Sequence, residues 1–510
     1  MEMSSFDNIP GEDLSKDRVM SFKADILSLV PSRLNEAATL YKEILQSHPK
    51  EYNLYYNIAI CYDDTLDSVS DETWSNLFDD MICSISQDGA LSTVFSIVTN
   101  EVASSSSSAS SSSSANLEVF NSVKWVQKLC STSSSSSSSS EDICSNPEFL
   151  ILHLGCNVTV TPSEYPMKKS TIFLRHLGVY WSLYIAAKRL EVHSLAWKFL
   201  NVAQQLELNN IDDPYNSAIS AAAVVNIKDS FKKGFWPEKY IGQESKMPVF
   251  IVGFLRSGAT LLENLLDGHK NIISIGDDSI FNKYVPYVQK NLTELMKRRE
   301  LTREQVLLTL FNFVNTNADE VLKATKSRAA KLKKHYKRVE NKEVDTVHRV
   351  IDKLLINYRN IGLIHLLFPN AIILHVVRDP LDTLLSCYSK RFGSSELSWT
   401  MDINNLVAEY ALYLELMAHY RKVLPRKNRL IDVSYEGLVI NPERVLRDIV
   451  IDKLQLKWDP NIINFHKNDR IKRKIYTDSI GRWTKYGNIT YNKYIIILIY
   501  YLMFIIIIRR

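Results

Sequence analysis

No CxxC pair occurs in this 510-residue chain, whose six cysteines (Cys61, Cys83, Cys130, Cys144, Cys156 and Cys387) fall at irregular intervals. That spacing gives no sign of a zinc site or a dithiol redox motif, and the thiols read as reduced residues of the core or of loops. An excess of one charge is also missing: 61 Lys and Arg against 57 Asp and Glu leave a formal +4. A nucleic-acid binder would normally carry a dense basic face, so any anion site here has to be local. The opening residues, MEMSSFDNIPGEDLSKD, lack the basic and apolar regions of a secretory signal, and a cytoplasmic location is the expectation. The apolar run at the other end, Ile495 to Ile508, holds 14 residues and is followed by Arg509 and Arg510. As a helix it would rise about 21 Å, against a hydrocarbon core of roughly 30 Å. Extended through Tyr491 to Tyr494 it could make a membrane contact, which leaves a tail-anchored or Golgi-membrane location as the alternative.

What is present describes a folded chain of more than one domain. Hydrophobic residues make up 45% and charged residues 23%, close to globular averages, and the length exceeds one ordinary core. Two serine tracts, 104–114 and 131–140, cannot bury apolar surface and read as disordered low-complexity insertions. They interrupt a helical region. Before them, Leu34, Ala37, Ala38, Tyr41, Ile44 and Leu45 share one helical face, Pro49 breaks it, and Leu54, Tyr55, Ile58 and Ala59 form a second. After them, Tyr180, Leu183, Tyr184, Ala187, Leu195, Ala196, Phe199, Leu200 and Ala203 repeat the pattern. Both resemble tetratricopeptide helix pairs, which implies a protein-partner surface; a generic helical bundle fits the same spacing. The expected organisation is a tetratricopeptide-like all-α region over 1–228, a linker over 229–246, an α/β domain over 247–490 and the apolar tail at 491–510.

From Met247 the pattern changes to short β-rich runs alternating with helices, the signature of an α/β domain with a parallel sheet. Strands are expected at Val249–Val252, Ala371–Val377 and Leu430–Val433, a helix from Asn441 and Pro442 through Val450, and a long basic helix within Glu300–Lys342. The run PVFIVGFLRSGATLLENLLDGH reads as strand, loop and apolar helix. Glycines let such a loop curl its N–H groups toward an anion, and the helix start adds a favourable dipole. Phosphate is therefore the expected guest. The lysine of GxxxxGK[ST] is missing, which argues against an NTPase or a P-loop phosphotransferase. Arg256 supplies the cation instead, with Ser257 and Thr260 as hydroxyl donors. No metal-ligand cluster is visible in the sequence.

This loop resembles the phosphosulfate loop of the sulfotransferase superfamily. Three further segments are similar to the subgroup that joins tetratricopeptide repeats to a sulfotransferase domain, itself related to tyrosylprotein sulfotransferases: DKLLINYRNIGLIHLLFPNAIILHVVRDPLDTLLSCYSKRFG, SYEGLVINPE and SIGRWTKYG. The resemblance implies a P-loop-like three-layer domain that uses 3′-phosphoadenosine 5′-phosphosulfate and no metal. Position by position, it makes Arg256, Ser257, Gly258, Ala259 and Thr260 the cradle of the 5′-phosphosulfate. Arg378 and Ser386 would take the 3′-phosphate, with Lys390 adding charge, and Tyr435, Gly481, Arg482 and Trp483 would close over the nucleotide. Asp277 or Asp278 stands where the family carries its catalytic base, and Lys353 and Arg256 where it stabilises the transferring and leaving groups.

The function so implied is transfer of a sulfuryl group to a hydroxyl, on a protein tyrosine, a sugar or a small alcohol or phenol. Two departures define the alternative. Ala259 replaces the usual loop threonine, and an aspartate replaces the usual glutamate at the base position. A catalytically impaired nucleotide-binding scaffold acting through its helical repeats is the competing expectation.

Overall fold

The structure, a computed structural model, describes, with short gaps, residues within 20–77, 169–297, 303–340, 344–462 and 477–486. The serine tracts and the 491–510 tail lie outside the described residues. By its contacts the chain divides into two units, Met1–Asn210 and Ile211–Arg510.

The first unit contains α1 (Leu34–Ser47), α2 (Asn53–Asp64), α3 (Lys169–Arg189) and α4 (His193–Asn209). α1 packs on α2, α2 on α3 and α3 on α4. The expected apolar stripes are the faces that meet. Leu34, Ala37, Ala38, Tyr41, Ile44, Leu45, Leu54, Tyr55, Ile58 and Ala59 are all buried, as are Tyr180, Leu183, Tyr184, Ala187, Ala196, Phe199, Leu200 and Ala203. Trp181, deep in this core, donates its indole N–H to Glu207 at 3.2 Å, so the one polar atom of a buried indole is satisfied.

The boundary between units falls earlier than residue 228. α5 (Ser217–Ser230) belongs to the second unit. Its Ser220 hydroxyl donates to Glu409 at 2.7 Å, the Tyr215 hydroxyl donates to the same carboxylate at 2.7 Å, and Lys228 pairs with Glu415. Within 229–246, expected as a linker, Phe231 and Trp236 are also held. Phe231 stacks on Trp236, whose ring meets His365 edge-on, and Phe231 packs so tightly over Gly362 that a β-carbon there would lie 2.5 Å from the ring.

The second unit is an α/β fold. Its elements are β1 (Pro248–Gly253), α6 (Ala259–Asp267), β2 (Ile272–Ser274), α7 (Ile280–Lys297), α8 (Arg303–His335), β3 (Arg349–Lys353) and α9 (Ile361–Leu367). β4 (Ile372–Val377), α10 (Pro380–Tyr388), α11 (Ile403–Val423), β5 (Leu430–Ser434), α12 (Tyr435–Ile440) and α13 (Pro442–Arg447) complete it. Among the described residues the strands form one parallel sheet in the order β2-β3-β1-β4-β5. β1 is central and buried along its whole length, as a strand covered on both faces must be. Its alternation sorts the two layers that cover it. Val249 and Ile251 join Leu262, Leu265 and Leu266 of α6, Leu438 of α12 and Leu446 of α13 in one core. Phe250 faces the other way, against Phe281 of α7 and Phe368 just after α9.

Three strands lie where the sequence places them. β2 and β3 were not expected; they add two parallel partners on one side of β1. The basic helix is observed as α8, and the helix from Pro442 runs to Arg447 before widening into a π-helical turn over Asp448–Lys453.

Candidate functional site

Parallel strands bring their C-terminal ends to one edge, and the residues that end β1, β3 and β4 carry the chemistry there. β1 leads through Phe254–Ser257 into α6, whose N-cap is Gly258. Arg256 and Gly258 both adopt left-handed backbone, at φ 66° and 96°, on either side of Ser257. Such an alternation turns successive N–H groups inward, and the opening N–H groups of α6 have no intrahelical acceptor. Gly258 is also fixed by crowding, since a β-carbon there would lie 2.2 Å from the Tyr435 ring.

β4 ends at Val377, which places Arg378 beside this loop. Its guanidinium donates to the Arg256 carbonyl at 3.1 Å and to the Ser479 carbonyl at 2.6 Å, and its carbon lies 4.7 Å from the centre of the Tyr435 ring. Arg256 reaches across to donate to the Ser386 hydroxyl of α10 at 3.1 Å. The Cys387 thiol between them is buried, donates to the Leu255 carbonyl, and is pushed up to about 12 by burial, which leaves it unreactive.

Two donors in this cluster are unused. Among the described residues the buried Ser257 hydroxyl and the Arg378 Nε have no hydrogen-bond partner. Buried polar groups are rarely left so, and an orphaned hydroxyl and an orphaned guanidinium N–H, with Arg256 alongside, are the complement of an anion with several acceptor oxygens. The residues expected to hold a phosphate-bearing nucleotide therefore fit one.

β3 ends in Lys353, buried and held between two carboxylates. Its ammonium donates to Asp277 at 2.6 Å and lies 3.2 Å from Glu263 of α6. Glu263 itself accepts from the Ser274 hydroxyl, and burial pushes its carboxyl above the usual range. Asp277 is exposed on the opposite side of the ammonium. Asp278, its neighbour in sequence, points elsewhere, pairing with Lys283 at 2.6 Å and Arg328 at 3.7 Å; the Lys283 hydrogen bond holds it below the usual carboxylate range.

Of the residues expected from sequence, the structure gathers Arg256, Ser257, Gly258, Arg378, Ser386 and Tyr435 into one cluster. Gly481 and Trp483 are docked beside it, and Arg482 lies between them. Ala259 is buried and Thr260 exposed at the start of α6. Asp277 and Lys353 meet each other, and Asp278 does not join them. Lys390 is exposed beyond α10 and makes no side-chain hydrogen bond or ion pair among the described residues. Two residues escaped the sequence reading. Glu263 sits among leucines on the inward face of α6, which was a signal for a buried carboxyl. Asp382 of α10 is 1% exposed and accepts from the backbone N–H groups of Gly481 at 2.7 Å and Trp483 at 3.0 Å.

The site lies in a domain with recognisable relatives. Residues 248–460 match the Sulfotransferase family. An uncharacterized protein of Aquifex aeolicus (strain VF5) is 27% identical to the chain over 257 residues, 48% of this chain and 31% of that protein. Protein-tyrosine sulfotransferase A of Caenorhabditis elegans is 23% identical over 255 residues, 46% of this chain and 60% of that protein. The chain thus spans less than two thirds of the length of either relative. Among solved structures, the sulfotransferase domain of the Synechococcus PCC 7002 olefin synthase is similar at a TM-score of 0.29 and 21% identity, covering 50% of this chain and 90% of that one.

The same α/β unit also carries a buried acid away from the loop. Asp352, next to Lys353 on β3, accepts from the Ser279 hydroxyl at 2.9 Å and the Phe281 N–H at 3.3 Å, while its second oxygen has no partner. Burial pushes this carboxyl up to about 6. Because the folded value lies above the unfolded one, the stability it contributes is present below about pH 4 and lost as pH rises to about 6. Asp352→Asn keeps an acceptor oxygen and removes the titration. In urea unfolding between pH 4 and 7.5, the variant is expected to gain up to about 3 kcal/mol over the wild type at the upper end and little at the lower.

Proposed function

We propose that the chain transfers a sulfuryl group from 3′-phosphoadenosine 5′-phosphosulfate to a hydroxyl acceptor. The observation that carries this reading is the anion cradle. Arg256, Ser257 and the α6 N-terminus meet Arg378 and Ser386, with two donors left unused. The match of residues 248–460 to the Sulfotransferase family supports it independently. In this reading Arg256, Ser257, Gly258, Ala259 and Thr260 hold the 5′ end of the nucleotide. Arg378 and Ser386 hold its 3′-phosphate, while Tyr435, Gly481, Arg482 and Trp483 border it. The bound nucleotide supplies the activated sulfuryl group.

The chain's own part is positioning and charge. Lys353 is buried beside the loop and stabilises negative charge developing on the bridging oxygen of the leaving phosphate, together with Arg256. Of the two aspartates, position favours Asp277 as the base. It stands beside the Lys353 ammonium at the end of β3, whereas Asp278 points away to Lys283 and Arg328. Lys353 engages Asp277 through Oδ1, which leaves Oδ2 to accept the acceptor's proton.

The resemblance to the protein-tyrosine sulfotransferase of Caenorhabditis elegans makes a protein tyrosine the first acceptor to try, followed by sugars and simple phenols and alcohols. The helical region is read as a tetratricopeptide-like partner surface of the repeat-linked subgroup. The test is transfer of labelled sulfate from 3′-phosphoadenosine 5′-phosphosulfate to that panel. Labelled product with any acceptor supports the reading, and nucleotide binding without turnover across the panel favours the scaffold alternative.

A further inference from the structure

Arg378 and Asp382 both hold the segment around Gly481, but by bonds of different kinds. Arg378 donates to the Ser479 carbonyl at 2.6 Å and to the Arg256 carbonyl at 3.1 Å, so one guanidinium links the segment to the loop after β1. Asp382 accepts instead. Its two oxygens take the N–H groups of Gly481 and Trp483, and the carboxylate is 1% exposed. These bonds differ in what a nucleotide would do to them. A phosphate dianion outcompetes neutral carbonyls for an arginine fork, so the Arg378 link is exchangeable. An anion cannot compete for backbone N–H groups already shielded inside a buried carboxylate pair, so the Asp382 link persists.

We propose that Asp382 is a positioning residue for the nucleotide: it keeps the 477–486 segment docked, with Arg482 and Trp483 in place, when Arg378 turns from Ser479 to the ligand. This rests on the reading of the site as a nucleotide site. Asp382→Asn discriminates well because the amide nitrogen must face one of the two N–H groups, which removes one bond and sets donor against donor. Asp379→Ala is the control. Asp379 caps the same helix by accepting from the Asp382 N–H at 2.9 Å, and its side chain makes no bond to the 477–486 segment.

The experiment uses the full chain, with brief trypsin treatment, the cut after Arg482 mapped by mass, and calorimetric titration with 3′-phosphoadenosine 5′-phosphate. In Asp382→Asn the cut is expected to accelerate by about 10-fold or more and affinity to fall by about 10-fold or more, the equivalent of losing one charge-assisted bond. Asp379→Ala is expected to match the wild type in both, and turnover by Asp382→Asn at saturating nucleotide to stay within about 3-fold, the split that a binding role gives. Unchanged cutting and affinity in Asp382→Asn, beside normal wild-type binding, overturn this inference alone. Equal effects from Asp379→Ala overturn it too, because they assign the change to fraying of α10. Absence of binding by the wild type overturns the underlying site reading instead.

Discussion

Arg378→Ala is expected to weaken binding of 3′-phosphoadenosine 5′-phosphate by about 100-fold or more, the loss of two charge-assisted hydrogen bonds at roughly 1.5 kcal/mol or more each. The half-buried guanidinium touches the loop, the Ser479 carbonyl and the Tyr435 ring together. Arg378→Lys is the sharper form of the experiment. It keeps the charge and loses the planar fork, so binding that recovers only in small part shows that geometry, and not charge alone, makes the site. Calorimetry on both variants, with urea unfolding as the control for folding, reads the outcome. Affinity within about 3-fold of the wild type in Arg378→Ala would remove this residue from the site.

Lys353→Met is expected to lower kcat by about 10²- to 10³-fold while nucleotide affinity changes little, as removal of a donor to a developing charge does. The same change strips Glu263 of its nearest cation. Glu263 is 7% exposed and already pushed toward the neutral form by burial, so the lone variant is also expected to lose stability, about 3–5 kcal/mol where a buried pair is broken. The loss grows as pH rises, because low pH neutralises the stranded acid. Pairing Lys353→Met with Glu263→Gln separates the two effects: stability returns and kcat does not. If the double variant regains turnover, Lys353 acts through folding and not at the reacting atoms.

The sequence makes the central architecture readable wherever the signal is local. β1, the loop and α6 follow from an apolar run, two glycines and a second apolar run within about one supersecondary unit. The helices of the first unit follow from apolar stripes at helical spacing. β3 is different: Arg349, Asp352 and Lys353 give it the look of an exposed turn, and they are buried because Leu454, Ser279, Glu263 and Asp277 meet them from distant parts of the chain. β2 is three residues long, below the reach of any periodicity. The boundary at Asn210 was hidden for the same reason as β3. Nothing in the alanine-rich α5 announces that Ser220 will meet Glu409, 189 residues away. Asp382 is the extreme case, since its partners are backbone N–H groups, which leave no mark on side-chain identity.

The Tyr435 ring lies against two things at once, the Gly258 backbone on one side and the Arg378 guanidinium on another. The three positions are therefore coupled through one ring. A side chain at 258 meets both the left-handed backbone at φ 96° and the ring at 435, and a smaller residue at 435 removes the surface against which Arg378 rests. A change at either position alone costs part of the cradle. Gly258, Arg378 and Tyr435 thus act as one packed unit, and a change at any one of them is felt by the other two.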